Sequence, residues 1–538
     1  NERSNGNMIT GARVGLGKNG VGAGVVCGTG TDEGITIKTG LSYVSIDRAR
    51  LNLKTETDKF GWEFYAVADD ARNEWNELLS RIKIEDKNET NKIKFYTNLY
   101  RAYNGKQTYS DVNGKYMDAL EREQTAPEGS AMYGGDAFWN SFWNLNGLWS
   151  LVTPHITDNW ITTHLEMFDK TGWTSKGGVG IEYSSIMVGS HEISQMVSAY
   201  TKGIRKDGEH IYEAIKKTVT HEAKRIEGGG MAGNPGQTYY NWKGYFPQAH
   251  VAWDYNRTLD YAYDDWSVGQ MAKALGKTEE YEFFNKRSKN WKNVFHPQEK
   301  WVWFRDTTGK WVDEMDIFTG KSFCEGNSWQ YSWYVPGDMP ELADFIGKEE
   351  FCKRLEYGFE RSVEHKFAAH AFDRSEDKSL EYYINHGNQI NMQAAYLFNY
   401  GGKPWLTQKY SRAIADTYYG HTPYHGWEGD EDEGQMGAWF VMTAMGLFEM
   451  NGGAQPEPYF DLSSPLLSKI TIKLDNKYYT GNTFTITAKN NSSENIYIQK
   501  ATLNGVQLKE PRILFSEVVK GGELILEMGN KPNEKAFE

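Results

Sequence analysis

LDYAYDDWSVGQMAKAL (Leu259–Leu275) and TEEYEFFNKRSKNWKNVF (Thr278–Phe295) follow one another with only Gly276 and Lys277 between them. Each carries apolar residues at helical spacing over more than three turns, and each predicts a helix. No strand signal separates them. Working outward, Lys92–Tyr103, Ser184–Lys202, Gln389–Tyr400, Leu406–Tyr419 and Met436–Phe448 read the same way, with Gly- and aromatic-rich loops between them. Roughly a dozen helices with almost no strand signal predict a closed helical toroid at whose end several long loops converge. No internal period supports an extended helical repeat instead.

The flanks read differently. Residues 8–56 are rich in Gly, and the short alternations Ile35-Thr36-Ile37 and Leu41 to Ile46 predict strands and tight turns. From Trp62 the apolar spacing becomes helical through Phe64, Val67, Trp75, Leu78 and Ile82, which predicts an amphipathic linker helix. After Pro465 alternation returns at Ile470-Thr471-Ile472, Phe484-Thr485-Ile486, Ile496-Tyr497-Ile498 and Leu524-Ile525-Leu526. The pair Asn504-Gly505 is placed for a hairpin turn. The order expected is β, helical barrel, β, with a small C-terminal β-sandwich.

Lys and Arg number 59 against 72 Asp and Glu, a formal net charge of -13. Such a surface repels phosphate backbones, and no basic run offsets it, so nucleic acid is excluded as a partner. No stretch approaches the ~20 apolar residues of a membrane span; the longest, Ala438 to Phe448, reads as a buried amphipathic helix. Cys27, Cys324 and Cys352 permit at most one bridge and no disulfide framework. The polar opening Asn1 to Asn7, without an initiating Met, reads as a processed or truncated product. The 19 Trp and 33 Tyr offer flat rings that suit the C–H faces of sugars and equally fill a large helical core.

Three polar clusters fall in the inter-helix loops, where sites reside. Glu325-Gly326-Asn327 places a carboxylate beside a glycine and among aromatics, surroundings that raise a buried carboxyl's pKa as a general acid requires. Asn385-His386-Gly387-Asn388-Gln389 opens a helix; Asn388 and Gln389 supply neutral oxygens of the kind Ca²⁺ accepts, and His386 reads more readily as structural than as a ligand. Gly429-Asp430-Glu431-Asp432-Glu433-Gly434-Gln435 packs four carboxylates before a strongly apolar helix. Capping and solvation explain many such runs. Here the bracketing glycines put the run at the rim of the core, and Asp430 and Asp432 point the same way if the loop is extended. No His/Cys set suggests zinc, and no EF-hand loop is present. The residues alone point to a helical-toroid glycosidase.

With these clusters, Met187-Val188-Gly189-Ser190-His191 within Gly177 to Gly203, Leu259-Asp260-Tyr261-Ala262-Tyr263-Asp264-Asp265-Trp266, Ser464-Pro465 and Glu494-Asn495-Ile496-Tyr497-Ile498-Gln499 stand in order along the chain. Over about Val25 to the C-terminus the sequence resembles glycoside hydrolase family 92, the calcium-dependent exo-acting α-mannosidases. The resemblance implies a partial N-terminal β-sandwich (1–58), a helical linker (59–91), an (α/α)6 catalytic barrel (92–455) and a C-terminal β-sandwich (456–538). It implies an inverting hydrolysis of terminal α-linked mannose, with Glu325 as general acid and Asp432, supported by Asp430, as base. Inversion sets such carboxyl groups ~6.5–9.5 Å apart, leaving room for water. It further implies Ca²⁺ bound to the sugar hydroxyls and held in part by Asn388 and Gln389, and sugar contacts from Trp139, Asn140, Trp143, His386 and Gln435. Secretion to a periplasm or cell surface, with a glycan as partner, follows from the same resemblance.

Three departures accompany it. Gln389-Ile390 replaces the family's Glu-Pro, which keeps an oxygen but removes a charge and predicts weaker calcium binding. Trp139-Asn140-Ser141-Phe142-Trp143 stands where the family has Trp-Asp-x-x-Arg, so two charge-assisted bonds to hydroxyls are lost. The first part of the N-terminal sandwich, which lends an aromatic residue to the sugar site, is missing, so a further segment or second chain is expected to complete the pocket. An inverting enzyme for another α-linked sugar, or a homologue that binds carbohydrate without cleaving it, are the alternatives.

Overall fold

A computed structural model describes residues 2–3, 9–10 and 37–538, apart from 106, 136–137, 180–181, 185–186, 228, 249–254, 370–382, 427–428 and 430–431; at 2–3, 9–10, 178–179 and 432 it describes the backbone alone. The chain is mixed helix and sheet. Its central element is the helix Arg257–Ala274, buried from Arg257 to Ala272 on every face. Helices Glu192–Thr201, Gly208–Thr220 and Thr278–Ser288 pack around it. Burial on all sides explains why Asp265 needs a partner: Arg287 Nε donates to Asp265 Oδ2 at 2.7 Å, and Tyr240 adds a bond of 3.1 Å. Thr278–Ser288 carries Glu279 and Glu280 in its first turn and Lys286 and Arg287 in its last, matching the helix dipole. Beyond it, Lys289–Val294 tightens to a 3-10 helix, inside the stretch expected to run to Phe295.

Other expectations need correction. The helix expected over Ser184–Lys202 is Glu192–Thr201. Met187 and Gly189 ahead of it are left-handed (φ 62° and 72°), which no helix accommodates. Gln389–Tyr400 forms two 3-10 pieces, Gln389–Asn391 and Ala394–Asn399. The helix before Phe448 is Gln435–Ala444; it stops at Gly446 (φ 81°), and Leu447–Phe448 becomes a strand paired with Tyr459–Leu462. That helix is buried on all faces rather than amphipathic.

Leu41 to Ile46 is not a strand. Ile46–Thr57 is a helix capped by Ser45, whose Oγ accepts from Arg48 N at 3.2 Å. Its anchor is polar. Asn52 is its one buried residue, and the amide donates to Leu41 O and to Asp111 Oδ1, each at 2.7 Å. No apolar stripe announces such a helix. Ile35 and Thr36 lie outside the described residues. Phe64–Leu79 is helical, with Trp75, Leu78 and Leu79 half-buried against the core, but Ile82, expected to continue it, begins the strand Ile82–Glu85.

The C-terminal strands form as read. A six-stranded sheet runs Val506–Gln507, Tyr497–Leu503, Gly522–Gly529, Thr483–Lys489, Lys469–Lys473, Ile82–Glu85. Asn504 and Gly505 make its two-residue turn, both at positive φ (49° and 84°), the twist a tight hairpin requires. The last strand comes from far upstream: Ile82 faces Ile472 and Ile84 faces Ile470. A second sheet joins Leu447–Phe448, Tyr459–Leu462 and Arg512–Leu514. One apolar cluster extends from Ile82 to Ala536, linking helices and sheets.

Candidate functional site

Glu325 sits on a turn that residues from elsewhere in the chain hold in place. Its φ is 46°, left-handed for a residue with a side chain, and such strain persists only where neighbours enforce it. Asn256 Oδ1 accepts from Cys324 N at 3.0 Å, and Tyr331 OH donates to Cys324 O at 2.5 Å. Asn388 Nδ2 donates to Glu325 O. Asn327 closes a capping box with Gln330 and starts the helix Ser328–Tyr331. A Cβ at Gly326 would lie 2.4 Å from Ile390 Cδ1 and 2.9 Å from Tyr331 Cε2, so a larger residue there requires these side chains to shift. Glu325 is half-buried, and two residues before it Phe323 stacks on Tyr331 at 5.4 Å.

The Asn388 bond brings the second cluster to the first. The third reaches the second through glycine backbones: a Cβ on Gly429 (φ 75°) would lie 2.5 Å from Gly387 Cα. Asp430 lies outside the described residues. Asp432 opens the 3-10 turn Asp432–Gly434, in which Glu433 (φ 59°) and Gly434 (φ 99°) are left-handed. Gly434 packs against Ala102, where a Cβ would lie 2.6 Å from Ala102 Cα. At the start of the next helix, Gln435 Nε2 donates to Asn140 O. Thus the Trp139–Trp143 segment joins the same centre.

Asn140 is itself left-handed (φ 59°) and fully buried. Its N–H donates to His191 Nδ1 at 2.8 Å, and Tyr334 OH donates to its Oδ1. Burial, with help from Lys176, pushes His191 down to about 3, so its ring is neutral and its acceptor nitrogen faces Asn140. Trp139 Nε1 donates to Asp260 Oδ1 at 3.2 Å, and Asn256 Nδ2 to Asp260 Oδ2 at 3.0 Å. Asn256 and Asp260 therefore connect the Glu325 turn to the Asn140 segment. Trp143 lies deeper: it is fully buried, its N–H donates to Met450 O at 2.8 Å, and its ring meets Tyr334 edge-on.

His386 is buried among Tyr418, Tyr419 and Trp439, and burial pushes it down to about 3. Tyr419 OH donates to Met436 O at 3.1 Å, which leaves it to accept from His386 Nε2 at 3.0 Å. Buried polar atoms are normally paired. Four candidate residues instead keep a buried atom without a hydrogen-bond partner among the described residues: Asn140 Nδ2, His386 Nδ1, Asn388 Oδ1 and Gln435 Oε1. One donor and three acceptors of this kind suit a ligand rich in hydroxyls, and Asn388 Oδ1 suits a hard cation. Gln389 is fully buried beside Asn388. Among the described residues no group of three or more His, Cys, Asp or Glu is arranged for a metal.

Asp260, Tyr334, His191 and Asn256 were not singled out as site residues from sequence. Asp260 and His191 lie inside quoted motifs, whereas nothing near Tyr334 in sequence marks its hydroxyl as spanning to Asn140.

A model described as the glycosyl hydrolase family 92 catalytic domain matches residues 48–530. The chain belongs to glycosyl hydrolase family 92. Among solved structures it is similar to a family 92 α-mannosidase of Bacteroides thetaiotaomicron in complex with mannoimidazole, with TM-score 0.80 and 26% identity over 92% of this chain and 63% of that one. A family 92 inverting mannosidase of the same bacterium gives TM-score 0.79 and 28% identity over 92% and 66%. An uncharacterized secreted glycosidase of the fungus Arthroderma benhamiae is 26% identical over 92% of this chain and 61% of its own length. This family 92 chain thus spans less than two thirds of each of these relatives.

Proposed function

We propose that this family 92 chain is the catalytic part of an exo-acting, inverting α-mannosidase, built as an (α/α)6 barrel between β-sandwiches. The observation that carries the reading is the set of direct contacts joining the Glu325 turn, the His386–Asn388 loop, the acidic loop and Asn140, with an unpartnered buried polar atom on each of Asn140, His386, Asn388 and Gln435 among the described residues. The resemblance to mannosidases of this family supports the choice of sugar.

Glu325 gives its proton to the leaving oxygen, and its clamped backbone fixes where that proton is delivered. Asp432, with Asp430 beside it in the chain, takes a proton from the attacking water. Asn140 Nδ2 and Gln435 Oε1 receive sugar hydroxyls. Asn388 Oδ1 fits Ca²⁺, and Gln389 lies next to it; when bound, the ion holds neighbouring hydroxyls of the sugar. Secretion is the accompanying proposal: a relative is described as secreted, and among the described residues no helix is long and apolar enough to cross a membrane.

A second reading, another α-linked sugar, is favoured by Asn140 and Trp143. An amide replaces the expected carboxylate, and the Trp143 N–H is already used by Met450 O. A panel of aryl α-glycosides, with and without EDTA, separates the readings. The mannoside should be cleaved, the rate should fall on chelation, and Ca²⁺ should restore it. Cleavage of a different glycoside selects the second reading; no cleavage of any selects a binding-only homologue. Full activity after exhaustive chelation contradicts the calcium role.

A further inference from the structure

We infer that a groove on the outer face of the helix Lys348–Val363 is an accessory glycan-binding site, separate from the Glu325 centre in the residues it uses. The cavity has a volume of about 530 Å³. Rings line it: half-buried Trp301, which carries the Arg354 guanidinium over one face at 4.6 Å, buried Trp329, and Tyr383, edge-on to Trp329 at 5.2 Å and to Tyr357 at 5.7 Å. Gly358 is what lets the helix sit this close, since a Cβ there would lie 2.4 Å from Trp329 Cζ2. Tyr357 is 53% exposed, a large ring held open to solvent beside the cavity.

The polar rim has both signs. Glu356 and Glu360 oppose a polyanion, and Lys353 and Lys403 oppose a polycation. None of these four makes an ion pair among the described residues, so their hydrogen-bonding capacity is open. The open Tyr357 ring, which can accept the C–H face of a sugar, flanked by free donors and acceptors of both charges, matches a neutral oligosaccharide. The excess of Trp and Tyr in the sequence has one outlet here. Mannose as the sugar rests on the α-mannosidase reading above.

The test uses the full chain carrying Glu325→Gln, which slows cleavage of oligosaccharides, titrated calorimetrically with α-linked mannotriose and, separately, maltotriose. Mannotriose should occupy two sites per chain. Adding Tyr357→Ala should weaken one of them at least about fivefold, the loss expected for one stacking ring. Lys353→Met, on the exposed rim, should weaken the same site, so the result does not hang on one variant. A single mannotriose site untouched by either substitution overturns the groove and leaves the mannosidase reading standing. A maltotriose site that depends on Tyr357, without one for mannotriose, keeps the groove and overturns mannose as its sugar. Binding of neither trisaccharide overturns both.

Discussion

Glu325 is held in a left-handed turn by Asn256, Tyr331 and Asn388, none of which is its neighbour in sequence. On the proposal that Glu325 is the proton donor, it matters most when the leaving group cannot depart unaided. Glu325→Gln should therefore lower the rate on natural glycosides by roughly 10²–10⁴-fold and spare aryl glycosides with good leaving groups far more. Steady-state kinetics across leaving groups of graded pKa measure this, and equal losses on all would assign Glu325 another task. At this scale the sequence was partly legible. Glu325, Asn388 and Gln435 stood out because polar residues in loops between apolar helices are conspicuous. Tyr334 was not legible, because its partners Asn140 and Asp260 are 194 and 74 residues away. Nor was the neutrality of His191, which comes from burial that only packing creates.

The loops that form the site meet through glycines. Gly429 and Gly387 touch backbone to backbone, and neither chain can yield as a flexible side chain would. Gly429→Ala adds a left-handed penalty of about 1–2 kcal/mol and an overpacking penalty of about 1–3 kcal/mol. It should lower stability by about 2–5 kcal/mol in denaturant unfolding and depress kcat more than KM. A variant with wild-type stability and rate would mean that the two loops do not meet. The helix Glu192–Thr201 offers a pH test. Burial raises Glu192 to about 7, opposed by the Thr174 hydroxyl and Lys176. With an unfolded value near 4.5, its contribution is full below about pH 4.5 and is lost as pH rises through 7, about 3 kcal/mol in all. Glu192→Gln should flatten that part of the stability–pH curve, measured by thermal unfolding from pH 4 to 8; an unchanged slope would contradict it.

Where periodicity and burial agreed, as in Leu259–Leu275, elements were legible. They were not where another force set the boundary. Left-handed Met187 and Gly189 cut short the helix expected from Ser184, and Ile46–Thr57 folds around buried Asn52 rather than an apolar stripe.

On the scale of the whole molecule, the strand Ile82–Glu85 completes the sheet of the C-terminal segment, and one apolar cluster runs through helices and sheets alike. That pairing spans nearly 400 residues, and four alternating residues at the end of a helix do not announce it. The Glu325 turn and the acidic loop are thereby set on a common core. The central claim is that this core presents an acid and a base to opposite faces of an α-mannoside. An NMR time course of aryl α-mannoside hydrolysis tests it most directly. β-Mannose should be the first-formed sugar, with the α-anomer appearing later by mutarotation. α-Mannose formed first would contradict inversion, and with it the role of a water-activating base in the acidic loop.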